Sequence, residues 1–347
     1  MSLRGAFRQQ AASCTKLGSP FMGQLLRLLA DNWQEDSALG QRLARFTGDI
    51  GPVGASLPLR MAGGLHALVL SGRAPDLATL YPPATVPDDT LWAGVAAALK
   101  AHEPFLLEWV ESPPQTNEVR RSAALIAGAA VVATRFDLPF VLSELGASAG
   151  LNLMWDHYGL SLPGLTIAPS HPALTLTPEW QGPLPPRARP TIAARAGVDL
   201  NPMAPGEDTD MLRLSAYLWP DQPHRLALTR SAAAVMDAPL TRGDAIDWLE
   251  TRLGAIPQGH VHLIQHTVAW QYFPKDAQMR GQALIEAAGA KATPDRPLAW
   301  LAMENDGDTT GAVGAALTLR LWPGDETLTL GRADFHGRWV HWRGEQQ

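Results

Sequence analysis

A chain of 347 residues, 46% hydrophobic and 18% charged, has the balance of a folded globular protein and the length for two domains. Its formal charge of −6, with no Lys/Arg run, argues against a DNA or duplex-RNA partner, which needs a basic stripe. The single cysteine, Cys14, excludes an internal disulfide framework and a cysteine metal cage.

The first residues, Met1-Ser2-Leu3-Arg4-Gly5, lead into a polar segment without the apolar stretch of a secretory signal. The longest apolar run, 123–133, has about half the length that crosses a bilayer and reads as a buried helix. The expectation is a cytoplasmic protein with neither nucleic-acid nor membrane partners. Twelve Trp serve equally as core or as the wall of a ligand cleft, so the count does not choose between them.

Residues 1–135 read mainly as helix. Apolar residues at 22, 25, 26, 29 and 30 follow helical spacing, with Pro20 suited to a first turn. Further helices are expected at 61–71, 75–80, 88–101 and 117–134. The pattern then changes. Leu138-Pro139-Phe140-Val141-Leu142-Ser143-Glu144-Leu145 is a short apolar run followed by a Gly/Ser turn, and 149–158 reads as helix. Strand, glycine turn and helix open a nucleotide-binding α/β unit. Residues 160–198 are Pro-rich with short β-like pieces and read as an inserted arm.

Strands are expected at 191–199, 239–242, 260–266 and 298–303. Helices are expected at 208–217, 225–235, 245–253 and 276–288. Two β-rich runs, 315–322 and 326–331, meet at Pro323-Gly324-Asp325, a hairpin signal, and 340–342 extends the β-rich tail. Alternating strands and helices require a mostly parallel sheet with right-handed crossovers. The fold class expected is therefore α/β, a Rossmann-like mostly parallel sheet over 136–347 that ends in an antiparallel hairpin. This is the layout of class I methyltransferases, here after an all-helical domain at 1–135.

The turn Glu144-Leu145-Gly146-Ala147-Ser148-Ala149-Gly150 supports three chemistries. As the acidic-x-Gly-x-Gly-x-Gly loop of a methyltransferase, Glu144, Gly146 and Gly150 fall in register and Ser148 replaces the middle glycine. The glycines would let the backbone approach the cofactor. As a dinucleotide loop, Gly-x-Gly-x-x-Gly, it lacks glycines at 148 and 151. As a nucleophile elbow, Gly-x-Ser-x-Gly, it matches at all three fixed positions, with Asp306 or Asp308 and His336 completing a triad in the right order. The elbow lacks the preceding strands that such hydrolases carry. A strand-to-helix turn without any ligand is the fourth reading.

Other positions support a ligand at this end of the sheet. Asp199 closes the second strand, where such domains place an acid on ribose, although Asp199-Leu200-Asn201-Pro202 is also strong turn chemistry. Gly243-Asp244-Ala245 follows the third strand, where methyltransferases contact adenine, and Asp244 also suits a helix N-cap. His266 ends the fourth strand, as a base or as an orienting group for an acceptor. His260, His262 and His266 share strand parity, but no carboxylate ligand is specified nearby and no metal site is assigned. Pro113-Pro114-Gln115-Thr116-Asn117-Glu118-Val119-Arg120-Arg121 is a dense polar knot, and Gln115 and Asn117 are taken as acceptor-side candidates. A capped helix with a solvated face accounts for the knot slightly better.

Glu144-Leu145-Gly146-Ala147-Ser148-Ala149-Gly150-Leu151-Asn152-Leu153, with Trp155-Asp156-x-Tyr158, resembles the signature of a bacterial family catalogued as domain of unknown function 2332. Pro114-Gln115-Thr116-Asn117-Glu118 with Arg121, Gly197-Val198-Asp199-Leu200-Asn201-Pro202, Trp219-Pro220-Asp221-Gln222 with Arg225, and His336-Gly337 are similar to it too. The resemblance spans nearly the whole chain and implies a methyltransferase-like fold. Taken together, the residues lead to an expected S-adenosylmethionine-dependent methyltransferase acting on a small molecule or a protein. Glu144, Gly146, Ser148 and Gly150 would hold the cofactor, Asp199 the ribose, and Asp244 and Ala245 the adenine. His266, Gln115 and Asn117 would lie on the acceptor side. A serine hydrolase through Ser148, and a non-catalytic binding module, are the alternatives.

Overall fold

The computed structural model describes every residue except 52–53, 256, 308–312 and 345–347. The chain folds into two compact units, Met1–Thr116 with Gly206–Ala227, and Asn117–Pro205 with Leu228–Gln347.

The first unit is helical. It holds α1 (Leu3–Lys16), α2 (Pro20–Asn32), α3 (Ala38–Leu43), α4 (Leu57–Leu70), α5 (Pro75–Ala78), α6 (Asp88–Ala101) and α7 (Glu103–Trp109). Serines start the first three: the backbone N–H groups of Gly5, Met22 and Gly40 donate to the hydroxyls of Ser2, Ser19 and Ser37. α4 is buried along most of its length and forms the centre of a core with Phe7, Leu25, Leu29 and Leu43. The polar knot begins the second unit with a 3-10 turn at Val119–Arg121, before α8 (Ser122–Arg135). The helix expected over 117–134 therefore starts at Ser122. Among the described residues of the stretch expected as helical over 1–135 there are helices and no strand, but the last helix belongs with the sheet.

The chain then forms β1 (Phe140–Leu145), β2 (Tyr158–Leu162), β3 (Leu165–Ile167), β4 (Leu174–Leu176), β5 (Glu179–Gln181) and β6 (Ile192–Asp199). It returns to the first unit for α9 (Asp208–Ala216), and α10 (Pro223–Ala233) spans the point where it leaves again. The returning segment explains the Trp219-Pro220-Asp221-Gln222 motif. Ser19 Oγ donates to Asp221 Oδ1 at 2.5 Å, Phe21 N to Asp221 Oδ2 at 3.0 Å, and Gln222 Nε2 to Gly18 O at 3.1 Å. Arg225, 3% exposed, donates to Gln222 Oε1 and lies over the Trp219 ring. Asp221 thus fastens this segment to the start of α2. Asp221→Ala is expected to lower the stability of the first unit by about 3 kcal/mol, since two charge-assisted bonds go and a buried Ser19 hydroxyl loses its acceptor. Denaturant unfolding checks this, and a loss under about 1 kcal/mol would contradict it.

The remaining elements are β7 (Leu240–Arg242), α11 (Ala245–Leu253), β8 (Val261–Thr267), α12 (Lys275–Gly289), β9 (Leu298–Glu304), β10 (Ala315–Trp322), β11 (Glu326–Ala333) and β12 (Trp339–Trp342). Nine strands make one sheet in the order β5-β12-β11-β10-β9-β8-β1-β6-β7. From β7 to β9 all neighbours are parallel, and β10, β11 and β12 follow antiparallel. Counted in chain order, the parallel strands stand as 3-2-1-4-5, the doubly wound arrangement, with its switch point between β1 and β8. Every residue of β1 and β8 is buried, as expected for strands covered on both faces. The arm at 160–198 resolves into a small sheet, β3-β2-β4, an edge strand, β5, paired with β12, and the core strand β6.

One expected element differs in kind. After Gly150 the chain forms a 3-10 helix, Leu151–His157, rather than an α-helix over 149–158. The carbonyls that an α-helix would use are taken by side chains. Tyr158 Oη donates to Leu151 O at 2.6 Å, Gln265 Nε2 to Asn152 O at 3.0 Å, and Arg195 Nη1 to Leu153 O at 2.9 Å. This turn does not offer the row of free N–H groups with which an α-helix N-terminus holds a pyrophosphate.

Candidate active site at the switch point

Ligands of doubly wound sheets bind outside the carboxyl ends of the strands at the switch point. In this chain that place is the end of β1, flanked by β6 and β8. Glu144 pairs in register with Gln265 of β8 and Gly197 of β6. It is 2% exposed, and among the described residues its Oε2 has no hydrogen-bond partner. Burial pushes its carboxyl up to about 8; the nearby Asp199 adds to this, while a hydrogen bond from Gln265 and the charge of Arg121 oppose it. A neutral acid with an unused oxygen therefore stands at the centre of the site.

The turn that follows has three left-handed residues, Gly146, Ser148 and Gly150, at φ of 68°, 53° and 70°. The space in front of both glycines is filled by protein. A Cβ on Gly146 would meet Ala269 Cβ at 2.5 Å, and one on Gly150 would meet Met236 Cε at 2.5 Å. Glycine at these two positions serves backbone shape and packing. Ser148 adopts the same conformation at a steric cost, and its buried Oγ has no partner among the described residues. Its backbone N–H donates to Asp199 Oδ2 at 2.8 Å, and Asn201 N donates to Oδ1 of the same carboxylate at 2.8 Å. Asp199, half-buried at the end of β6, thereby holds the Ser148 turn in place.

The polar knot braces this turn from the other side. Leu151 N donates to Asn117 Oδ1 at 2.7 Å, and Ser122 Oγ to Asn152 Oδ1 at 2.7 Å. Arg121 donates to Thr267 O at 3.1 Å and to Phe335 O at 2.8 Å, which places the 334–338 turn beside the end of β8. Gln115 lies in the first unit and Asn117 in the second.

His266 is 1% exposed and both its ring nitrogens are engaged. Trp300 Nε1 donates to Nε2 at 2.8 Å, so the proton sits on Nδ1, which donates to Glu304 Oε1 at 2.7 Å. The ring stacks on Trp270, with centroids 5.1 Å apart. Glu304 also accepts from the N–H groups of Ala269, Trp270 and Gln271. Burial opposes ionisation of Glu304, but these donors outweigh it and hold its carboxyl below the usual range. His266 and Glu304 together fix the 269–271 segment, whose Ala269 rests on Gly146.

The other candidates stand apart. Asp244 is exposed and caps α11, its Oδ1 accepting from Ile246 N at 2.9 Å and Asp247 N at 3.0 Å, with Ala245 buried behind it. His336 N donates to Asp334 Oδ1. Asp306 pairs with Arg332, and Asp308 lies outside the described residues. His260, just before β8, bonds Gln258 O and His262 bonds Ser143, so His260, His262 and His266 each have separate partners. Sequence reasoning passed over Glu304 and Trp300. The signal that would have found Glu304 is an acid closing an apolar strand at the functional end of the sheet.

Fold and site define a doubly wound α/β domain with a buried acid at its switch point and a helical unit joined to it three times along the sequence. The chain belongs to the family of uncharacterised proteins conserved in bacteria known as DUF2332, whose model matches residues 4–342. No curated protein matches it. Among the described residues no helix is long and apolar enough to cross a membrane.

Proposed function

We propose that the second unit binds S-adenosylmethionine at the carboxyl ends of β1 and β6 and acts as a methyltransferase on a small molecule or a protein. The observation that carries this reading is Glu144, a buried carboxyl at the switch point with an oxygen that no described residue satisfies. Buried polar atoms are almost always partnered, so one left over points to a ligand. The sulfonium and ammonium groups of S-adenosylmethionine are cations, which suit a buried acid that can ionise beside them. The Ser148 hydroxyl, also without a partner, stands four residues on in the same turn. Asp199 occupies the ribose position of a doubly wound sheet, and its carboxylate keeps lone pairs for a diol beyond those accepting from Ser148 and Asn201. Asp244 and Ala245 follow β7, on the adenine side of this reading.

Bound there, S-adenosylmethionine supplies a methyl group on a positively charged sulfur. The contribution of the chain is positioning. With both ring nitrogens engaged, His266 acts by holding the 269–271 segment, and Asn117 by holding Leu151. A serine hydrolase is the second reading, favoured by the positive φ of Ser148 within Gly-x-Ser-x-Gly.

Thermal unfolding with S-adenosylmethionine, with its demethylated product and with NAD separates these readings. Either sulfur ligand at a hundredfold over Kd is expected to add about 2.7 kcal/mol, a rise of a few degrees, and NAD none. No rise with either sulfur ligand would sink the proposal. Fluorophosphonate labelling lost in Ser148→Ala would then put the hydrolase in its place.

A further inference from the structure

A cavity of about 370 Å³ lies within the second unit beside α11 and α12, and β8 contributes His262 to its wall. His262 stands near the start of β8, ahead of Gln265 and His266, and no switch-point residue lines this cavity, so the two are separate. Its chemistry follows from one shared hydroxyl. Arg252 Nε donates to Ser143 Oγ at 3.0 Å, and Ser143 Oγ lies 2.8 Å from His262 Nε2. An arginine only donates, so Ser143 accepts from it and its own proton needs an acceptor. His262 Nε2 lies within reach as that acceptor, and in that tautomer the ring proton is on Nδ1. Burial, with the charge of Arg252, pushes His262 down to about 3, so the ring stays neutral at working pH. Among the described residues Nδ1 has no partner, although the ring is only 3% exposed. A ring N–H on the wall of a cavity can serve an acceptor within it.

The rest of the wall supplies the remainder of a ligand site. Lys291 and Arg296 stand on the rim with no ion pair among the described residues, whereas the rim acid, Glu250, is already paired with Arg280. The interior is apolar, lined by Leu253, Leu284 and Leu298. Few polar groups converging on apolar walls mark a small-molecule site, and the volume is at the small end for one. We infer that this cavity binds a small organic acid, its carboxylate at His262 and the Lys291/Arg296 rim and its apolar body against the three leucines. The site is independent of the proposed cofactor site.

The test is a calorimetric titration of the full chain with benzoate, octanoate, benzamide and inorganic phosphate. Benzoate or octanoate is expected to bind and benzamide to fail. Affinity should fall at least about tenfold in the double variant Arg296→Gln/Lys291→Gln, whose changes lie on the exposed rim. Nitrogen-15 spectra of the wild-type histidines should show His262 protonated at Nδ1, with that signal moving on titration with the bound acid. Failure of both carboxylates to bind, binding of phosphate alone, unchanged affinity in the double variant, or a proton on Nε2 would each overturn the inference.

Discussion

Glu304→Ala is expected to destabilise the second unit by about 3–5 kcal/mol, because it removes one part-buried anion from four donors at once. The His266 ring would lose its acceptor while Trp300 still holds the other nitrogen, and the N–H groups of Ala269, Trp270 and Gln271 would be left without theirs. Denaturant unfolding reads the total. Hydrogen exchange at those three amides reads the local part, which should lose protection first. The folded carboxyl titrates below its ordinary range, so its contribution is present above the unfolded value of 4.5 and is lost as pH falls through the folded value. The penalty of Glu304→Ala should therefore shrink in acid. A penalty below about 1 kcal/mol at neutral pH would show that the 269–271 segment does not depend on this carboxylate.

Glu144→Gln is expected to act in the opposite direction. The folded carboxyl titrates at about 8 against 4.5 in the unfolded chain. Below pH 4.5 both states hold the proton. Between pH 4.5 and 8 the unfolded chain releases it while the folded chain keeps it, so wild-type stability falls across that window and levels off above it. A shift of this size corresponds to roughly 5 kcal/mol. Glutamine copies the shape of the neutral acid and does not titrate. The variant should match the wild type near pH 4.5 and exceed it by several kcal/mol near pH 8.5, as read by unfolding curves at both values. Equal stability at both ends would show that Glu144 is ionised and partnered in the folded chain.

The two substitutions show how environment, not residue type, separates these glutamates. Both close a parallel strand at the same end of one sheet. Glu304 meets four donors and ionises; Glu144 meets burial and stays neutral. Sequence gives each only as an acid after an apolar run. Those runs themselves were legible: 138–145, 260–266 and 298–303 became β1, β8 and β9, and 276–288 became α12, because central parallel strands and their crossover helix carry continuous or periodic apolar residues. The hairpin at Pro323-Gly324-Asp325 was legible from its turn residues, and Asp325 adopts φ of 53° there.

What was not legible depends on residues distant in sequence. The 3-10 form of Leu151–His157 is set by Gln265 and Arg195, about 110 and 40 residues away from the carbonyls they occupy. The pairing of β5 with β12 joins residues 179–181 to 339–341. The helix expected at 208–217 formed, yet nothing local announces that it belongs with residues 1–116 rather than with the sheet. At the site, Glu144 and Ser148 were read from the turn and Asp199 from the end of the second strand, and the three come together. The service of Gly146 to Ala269 and of Gly150 to Met236 needed coordinates, since a glycine required by a neighbouring side chain reads in sequence like one required by a cofactor.

The most direct test of the account is calorimetric titration of S-adenosylhomocysteine into the wild type and into Glu144→Gln at pH 7, in two buffers of different ionisation heat. Binding to the wild type is expected with release of a proton from Glu144 as the ligand ammonium enters, and affinity at least about tenfold weaker in the variant with no proton release. No binding to the wild type, or equal affinity in the variant, would contradict it.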